Sequence, residues 1–211
     1  MSGNGVPPYR IETERLVLRC WDPRDAPLLK DAIDSSLEHL RPWMPWAREE
    51  PKPLEATVEL LRRFRGVFDL GQDFPYAIFS PDEQEVLGGT GFHTRVGEGA
   101  FEIGYWIRAG RAGQGLTTEA VGALTRAAMM LDGIDRLEIH VDPENAASRR
   151  IPEKLGYTEE ATLRRRLPPL SAGDEPRDEV VYSLLAEEFR ASPLAPVPLR
   201  AYGAGGERLE A

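Results

Sequence analysis

Arg108-Ala-Gly-Arg-Ala-Gly-Gln-Gly-Leu-Thr117 is the stretch whose residue types point most directly to chemistry. Three glycines fall within six residues, from Gly110 to Gly115, with Arg108 and Arg111 among them. Glycine lets the backbone take positive φ, so successive N–H groups curl to one side and make a concave donor surface. A helix-forming segment follows at once, and its N-terminus adds unpaired N–H groups and a partial positive charge. Such a cup suits a phosphate or pyrophosphate. A ligand-free strand-to-helix turn has the same composition, so the turn alone does not decide. A Walker-type loop is excluded because no Gly-Lys-Ser/Thr follows, and a dinucleotide fingerprint fits poorly in position. A second unusual stretch is Leu40-Arg-Pro-Trp-Met-Pro-Trp-Ala47, where two prolines interrupt regular structure. Its Trp43, Met44 and Trp46 either plug the core beneath a loop or wall a substrate site.

The elements around these stretches can be read from periodicity. Residues 15–21 alternate as a strand, and Asp22-Pro23-Arg24-Asp25 then opens a helix running to about Asp34 and resuming towards Leu40. Residues 54–70 carry apolar side chains at Leu54, Val58, Leu61, Phe64 and Phe68, an amphipathic helix. Strands are expected at 76–80 and 86–96, joined by the turn at 81–84, with Gly88, Gly89 and Gly91 marking a bulge or a close backbone approach. Another strand, 101–107, feeds the glycine-rich turn, and a helix runs from Thr117 to Leu131. A strand at 136–142 follows, then a short helix capped by Asn145 and ended by Gly156. Strands at 161–167 and 179–185, separated by an acidic turn, finish the pattern. The strands flanking the helix at Thr117 should be parallel and the rest hairpin-like, giving a mixed sheet in an α/β (α+β) domain.

Composition narrows the function classes. The chain has 211 residues, enough for one well-packed domain, with no internal repeat. Residues 1–9 read as a flexible lead-in, 10–190 as the domain and 191–211 as a proline- and glycine-rich extension, either a small hairpin or an unstructured tail. No apolar run approaches the roughly 18 residues of a membrane span and no secretory signal opens the chain, so a cytoplasmic location without a membrane partner is expected. A single Cys20 and three scattered histidines leave no metal-ligand spacing. The net charge of −9 argues against direct nucleic-acid binding and favours a cationic substrate.

Four pieces stand in a recognisable series: Glu102-Ile-Gly-Tyr-Trp-Ile107, the Gly113-Gln-Gly115 turn, Asn145-Ala-Ala-Ser148 and Glu153-Lys-Leu-Gly-Tyr157. Together they resemble the GNAT superfamily of acyl-CoA-dependent N-acetyltransferases, from about residue 11 to 189. Thr13-Glu-Arg-Leu-Val-Leu-Arg19 and Pro42-Trp-Met-Pro-Trp46 are similar to the RimJ/RimL branch, which acetylates the α-amines of ribosomal proteins and has relatives acting on small amines. The resemblance implies a mixed, largely antiparallel central sheet flanked by helices. Its central parallel strands, 102–107 and 136–142, would splay to admit the pantetheine arm of acetyl-CoA. The implied cofactor contacts are Trp106, Ile107, Arg108, Arg111, Gly113, Gln114, Gly115, Leu116, Thr117, Asn145 and Ser148. The first position of the family's phosphate motif, usually Gln or Arg, is Gly110 here, and Arg108 or Arg111 would replace that charge.

The resemblance also suggests catalytic roles. Glu102 matches a carboxylate base of several members, with pairing to a nearby arginine as its structural alternative. His93 is a second candidate base on the acceptor side, which Trp43 and Trp46 would wall. Many relatives carry a tyrosine acid seven residues after the asparagine, where this chain has Pro152. Ser148 is therefore the expected proton donor or hydrogen-bond partner of the departing thiolate, and Tyr157 is expected in the core. Three functions remain open: a ribosomal-protein N-terminal acetyltransferase, an acetyltransferase of a small amine, and an acyl-CoA-binding sensor. Each is compatible with a monomer or a homodimer.

Overall fold

Alternating apolar residues in the middle of the chain give one sheet two buried faces, and the helices divide between them. The computed structural model describes residues 6–170, 173–192, 194–195 and 199–209. The first five residues of the expected lead-in, two of the expected acidic turn (171–172) and parts of the expected extension (193, 196–198 and 210–211) lie outside the described residues.

In chain order, β1 (Arg10–Glu12) and β2 (Val17–Cys20) form a hairpin. A 3-10 turn at Pro23–Asp25 leads into α1 (Ala26–Asp34) and the short α2 (Leu37–Leu40). A second 3-10 segment, Pro45–Glu49, precedes α3 (Leu54–Asp69). Three antiparallel strands follow: β3 (Phe74–Phe79), β4 (Val86–His93) and β5 (Ala100–Ile107). Then come α4 (Leu116–Met129), β6 (Arg136–Val141), α5 (Ala146–Leu155), β7 (Thr158–Leu167), β8 (Arg177–Leu185) and α6 (Ala186–Ala191). Two short strands, β9 (Arg200–Tyr202) and β10 (Arg208–Leu209), end the described chain. All ten strands join one sheet in the order β10-β9-β1-β2-β3-β4-β5-β6-β8-β7.

The sheet is mixed and largely antiparallel, as the resemblance implied, and β5–β6 is its parallel pair. Strand alternation sorts the core. Tyr76, Ile78, Phe92, Phe101, Ile103, Leu137 and Ile139 face α4, whose Ala120, Val121, Leu124 and Ala128 are buried against them. On the opposite face Val17, Ala77, Phe79 and Val86 pack with Trp21, Leu29, Ile33 and Leu61 of the α1–α3 side.

Several boundaries differ from the sequence expectation. The helix expected from residue 22 begins with a 3-10 turn, because Asp25 turns its carboxylate back to the Asp22 N–H in a capping box. The strand expected at 86–96 stops at His93, where the Gly97 and Gly99 turn begins. β1 and α6 were not foreseen, since three and six residues are too short for periodicity to register. At Gly88, Gly89 and Gly91 the neighbouring backbone or the Trp106 ring occupies the space of a side chain, so close approach is what those positions require.

Candidate active site

The glycine-rich turn is pinned at its entry and open beyond it. The Arg108 N–H donates to the Leu87 carbonyl (2.7 Å) and the Ala109 N–H to the Ser36 hydroxyl (3.0 Å). Gly113 and Gly115 then adopt φ of 76° and 78°, the left-handed region that other residues avoid. The backbone N–H groups of residues 113–118 make no hydrogen bond to the described residues, so successive donors are left free at the N-terminus of α4. Two residues of the β1–β2 hairpin brace this cup from outside. Arg15 donates to the Gln114 carbonyl (3.1 Å) and, with Thr13, to the Glu119 carboxylate in the first turn of α4 (2.6–2.7 Å). Burial pushes the Glu119 carboxyl up, but the hydrogen bonds from Thr13 and Arg15 outweigh it and hold the group below its usual range.

Beside the cup the sheet opens. β5 and β6 pair only at Ala100–Arg136, Phe101–Leu137 and Glu102–Glu138, so residues 103–107 present an unpaired backbone edge towards β6. The gap leads into a cleft of about 330 Å³. One wall is Tyr105, Trp106 and Ile107, and another is the turn with Arg111, Gly113, Gly115, Leu116 and Thr117. α5 supplies the third wall with Asn145, Ser148, Ile151 and two cations, Arg150 and Lys154.

The start of α5 is set locally. Asn145 Oδ1 accepts the Ser148 N–H at 3.0 Å, a side-chain cap that holds Ser148 on the cleft side. Pro152 lies inside the helix and removes the N–H that would bond the Ser148 carbonyl. The Tyr105 hydroxyl takes that place, 3.2 Å from the Ser148 carbonyl and 3.0 Å from Ser148 Oγ. Burial raises the Tyr105 phenol above its ordinary pKa, so it stays protonated at neutral pH. Tyr157 is buried in the core and bonded to Thr125 at 2.7 Å.

Of the other expected site residues, Arg108, Gln114, Glu102, His93 and Trp46 do not line this cleft, whereas Arg111 and Trp43 do. Arg108 turns to Asp31 (2.8 Å) and Glu85, and Arg111, although at the cleft, pairs with Glu85 (2.5 Å). The Gln114 side chain folds back to the Gly110 carbonyl. Glu102 lies three residues before Tyr105, roughly 10 Å along the strand and on its opposite face. It is clasped by both arms of Arg95. Burial pushes the Glu102 carboxyl up, yet Arg95, helped by His140 and His93, overcomes this and holds it below the usual range. His93 pairs through Nδ1 with Asp73 (2.9 Å) and sits over Gly104. Trp43 and Met44 line the cleft with His39, while Trp46 packs edge-on against Trp106 with ring centroids 5.8 Å apart.

An N–H cup, an unpaired strand edge and two cations, each without a hydrogen-bond or ion-pair partner among the described residues, lie in one cleft and fit a long anionic ligand with an amide-bearing arm. Ser148 and Tyr105 face the same cleft beside that strand edge. Tyr105, Arg150 and Lys154 were missed by sequence reasoning. The i,i+4 spacing of Arg150 and Lys154 was the available signal for a shared helix face. Nothing local announces that Tyr105 reaches Ser148.

A family model described as an acetyltransferase (GNAT) domain matches residues 15–158. The [ribosomal protein uS5]-alanine N-acetyltransferase of Escherichia coli strain K12 is 31% identical over 163 residues, covering 74% of this chain and 82% of that protein. The structure of Mycobacterium smegmatis RimJ in complex with CoA-disulfide superposes with a TM-score of 0.72 at 26% identity, covering 90% of each chain. RimL, a ribosomal L7/L12 α-N-protein acetyltransferase in complex with coenzyme A, shares the fold with a TM-score of 0.75 at 21% identity, over 85% of this chain and 99% of RimL.

Proposed function

The chain belongs to the GNAT acetyltransferase family and is an N-acetyltransferase; on that premise we propose that it acetylates the N-terminal α-amine of a ribosomal protein, in the cytoplasm, by direct attack in a ternary complex. The observation that carries the reading is the unpaired edge of β5 running from the free N–H cup to Ser148. Among the described residues no helix is long and apolar enough to cross a membrane.

Acetyl-CoA, when bound, supplies the thioester. The N–H groups of residues 113–118 hold its pyrophosphate, and Arg150 and Lys154 neutralise phosphate charge in place of the missing first motif residue. This reassigns the role expected of Arg108 and Arg111, whose guanidinium groups are engaged by Glu85. The backbone of residues 103–107 pairs with the amides of the arm, and Asn145 keeps the start of α5 in register with it. Ser148 offers its hydroxyl proton to the departing thiolate.

The amine needs little help, since an α-amino group has a pKa near 8 and is partly neutral at physiological pH. Glu102, kept ionised by Arg95, acts through water on the acceptor side of the sheet, with His93 beside it. Trp43 and Trp46 form the wall over which the acceptor enters. Pre-alignment of amine and thioester contributes as much as either proton-transfer group.

The acceptor is supported by the uS5-alanine acetyltransferase of Escherichia coli, to which the chain is 31% identical. Thiol release from acetyl-CoA, measured with peptides beginning in Ala or Ser and with a panel of small amines, tests it. Peptide turnover with acetyl on the α-amine is the expected result. Turnover confined to small amines overturns the acceptor and leaves the chemistry standing.

A further inference from the structure

The pairing of Tyr105 with Ser148 is more than a packing contact. An α-helical carbonyl is normally satisfied by the N–H four residues on. Pro152 denies that donor to Ser148, on the turn of α5 that faces the cleft. Tyr105 comes from the unpaired part of β5, forty-three residues away in sequence, and brings its hydroxyl to both oxygens of Ser148 (3.2 Å to the carbonyl, 3.0 Å to Oγ).

A phenol has one proton, so it serves one of these acceptors at a time. When it donates to the carbonyl, the Ser148 proton is free to turn back to the phenol oxygen. When it donates to Ser148 Oγ, the serine proton is driven away from the phenol and into the cleft. An anion developing in the cleft selects the second arrangement, because a hydrogen bond to a charged acceptor is about twice as strong as a neutral one.

We propose that Tyr105 is a positioning residue that aims the Ser148 hydroxyl proton at the departing thiolate, with the Ser148 carbonyl as its resting acceptor. The proposal rests on the reading of Ser148 given above. The amine nitrogen forms the C–N bond, the C–S bond breaks with its electron pair on sulfur, and the nitrogen loses its proton through water to Glu102. The thiolate accepts the Ser148 hydrogen bond, and no proton leaves Tyr105. Burial, which keeps the phenol protonated, suits a group that donates a hydrogen bond throughout.

Steady-state kinetics on Tyr105→Phe, Ser148→Ala, Pro152→Ala and the two double variants built on Tyr105→Phe test this, with thermal unfolding as a check on folding. Tyr105→Phe should lower kcat about two- to twelvefold, the range of one neutral hydrogen bond, and leave KM for acetyl-CoA within about twofold. On the Ser148→Ala background the same change should cost nothing further in kcat, because the phenol acts through the serine. Pro152→Ala returns the carbonyl its helical donor, and it should not rescue Tyr105→Phe. Rescue would mean that the phenol only satisfies the carbonyl, and would overturn the proposal. Multiplicative losses in the Tyr105→Phe/Ser148→Ala protein would overturn it too. Full kcat in Ser148→Ala would remove the serine role itself and the proposal with it.

Discussion

Replacing Gly113 with valine perturbs the proposed phosphate cup with little else disturbed. A Cβ built at Gly113 meets no atom within 4 Å, so the first side-chain atom enters open space. Its main effect is expected from φ of 76°, a conformation costing an L-residue about 1–2 kcal/mol and a β-branched one more. The turn can bear that cost as lost stability, or relax towards negative φ. Relaxation swings the peptide between residues 112 and 113 and withdraws the Gly113 N–H from the cup. Each charge-assisted bond to phosphate so lost weakens binding by about 1.5–3 kcal/mol, roughly 10- to 150-fold in Kd. Titration calorimetry with coenzyme A at fixed ionic strength reads the affinity, and thermal unfolding without ligand separates the strain term. Gly113→Asn is the control, because asparagine tolerates the left-handed region; it should bind within about threefold of wild type. Wild-type affinity in Gly113→Val with unchanged stability would refute the cup, because the strain would then have been relieved by moving N–H groups that the ligand does not use.

Other perturbations address separate parts of the site. Arg150→Ala combined with Lys154→Ala should raise KM for acetyl-CoA about tenfold, flatten its salt dependence and spare kcat at saturation, as initial rates at two ionic strengths would show. Arg95→Ala should cost about 1–2 kcal/mol, between the values for an exposed and a buried pair, because the carboxylate is buried and the arginine exposed. The sign of its pH dependence follows from the lowered Glu102 pKa. In wild type the pair stabilises the fold above the ordinary carboxylate range and is lost as pH falls through the lower folded value. The variant should lose that acid-side slope, and an unchanged Tm profile between pH 3 and 7 would count against the pair. Trp43→Ala should raise KM for peptide acceptors about tenfold and leave coenzyme A affinity unchanged, measured by initial rates and calorimetry respectively.

What the sequence determined by itself was local. The alternation of Tyr76, Ile78 and their neighbours, and the stripe through Ala120, Val121 and Leu124, specify strand and helix because each depends on a repeat a few residues long. The cap of Asn145 on Ser148 spans three residues, and the Gly113–Gly115 turn needs only the conformational freedom of its own residues. Boundaries slipped where propensity ended and pairing began, as at His93.

The tertiary structure decided everything that depends on register and distance. Pairing of Glu102 with a nearby arginine was foreseeable in sequence, but only the β4–β5 pairing sets Arg95 on it and turns it to the face opposite Tyr105. Arg15 finds Gln114 and Glu119 only because the β1–β2 hairpin lies beside α4, about a hundred residues away in the chain. Tyr105 meets Ser148 because β5 and β6 separate after Glu102, which leaves room between the strands for the phenol to reach α5. A local pattern carries no information about such contacts, since each is set by how many residues intervene and how the sheet twists between them.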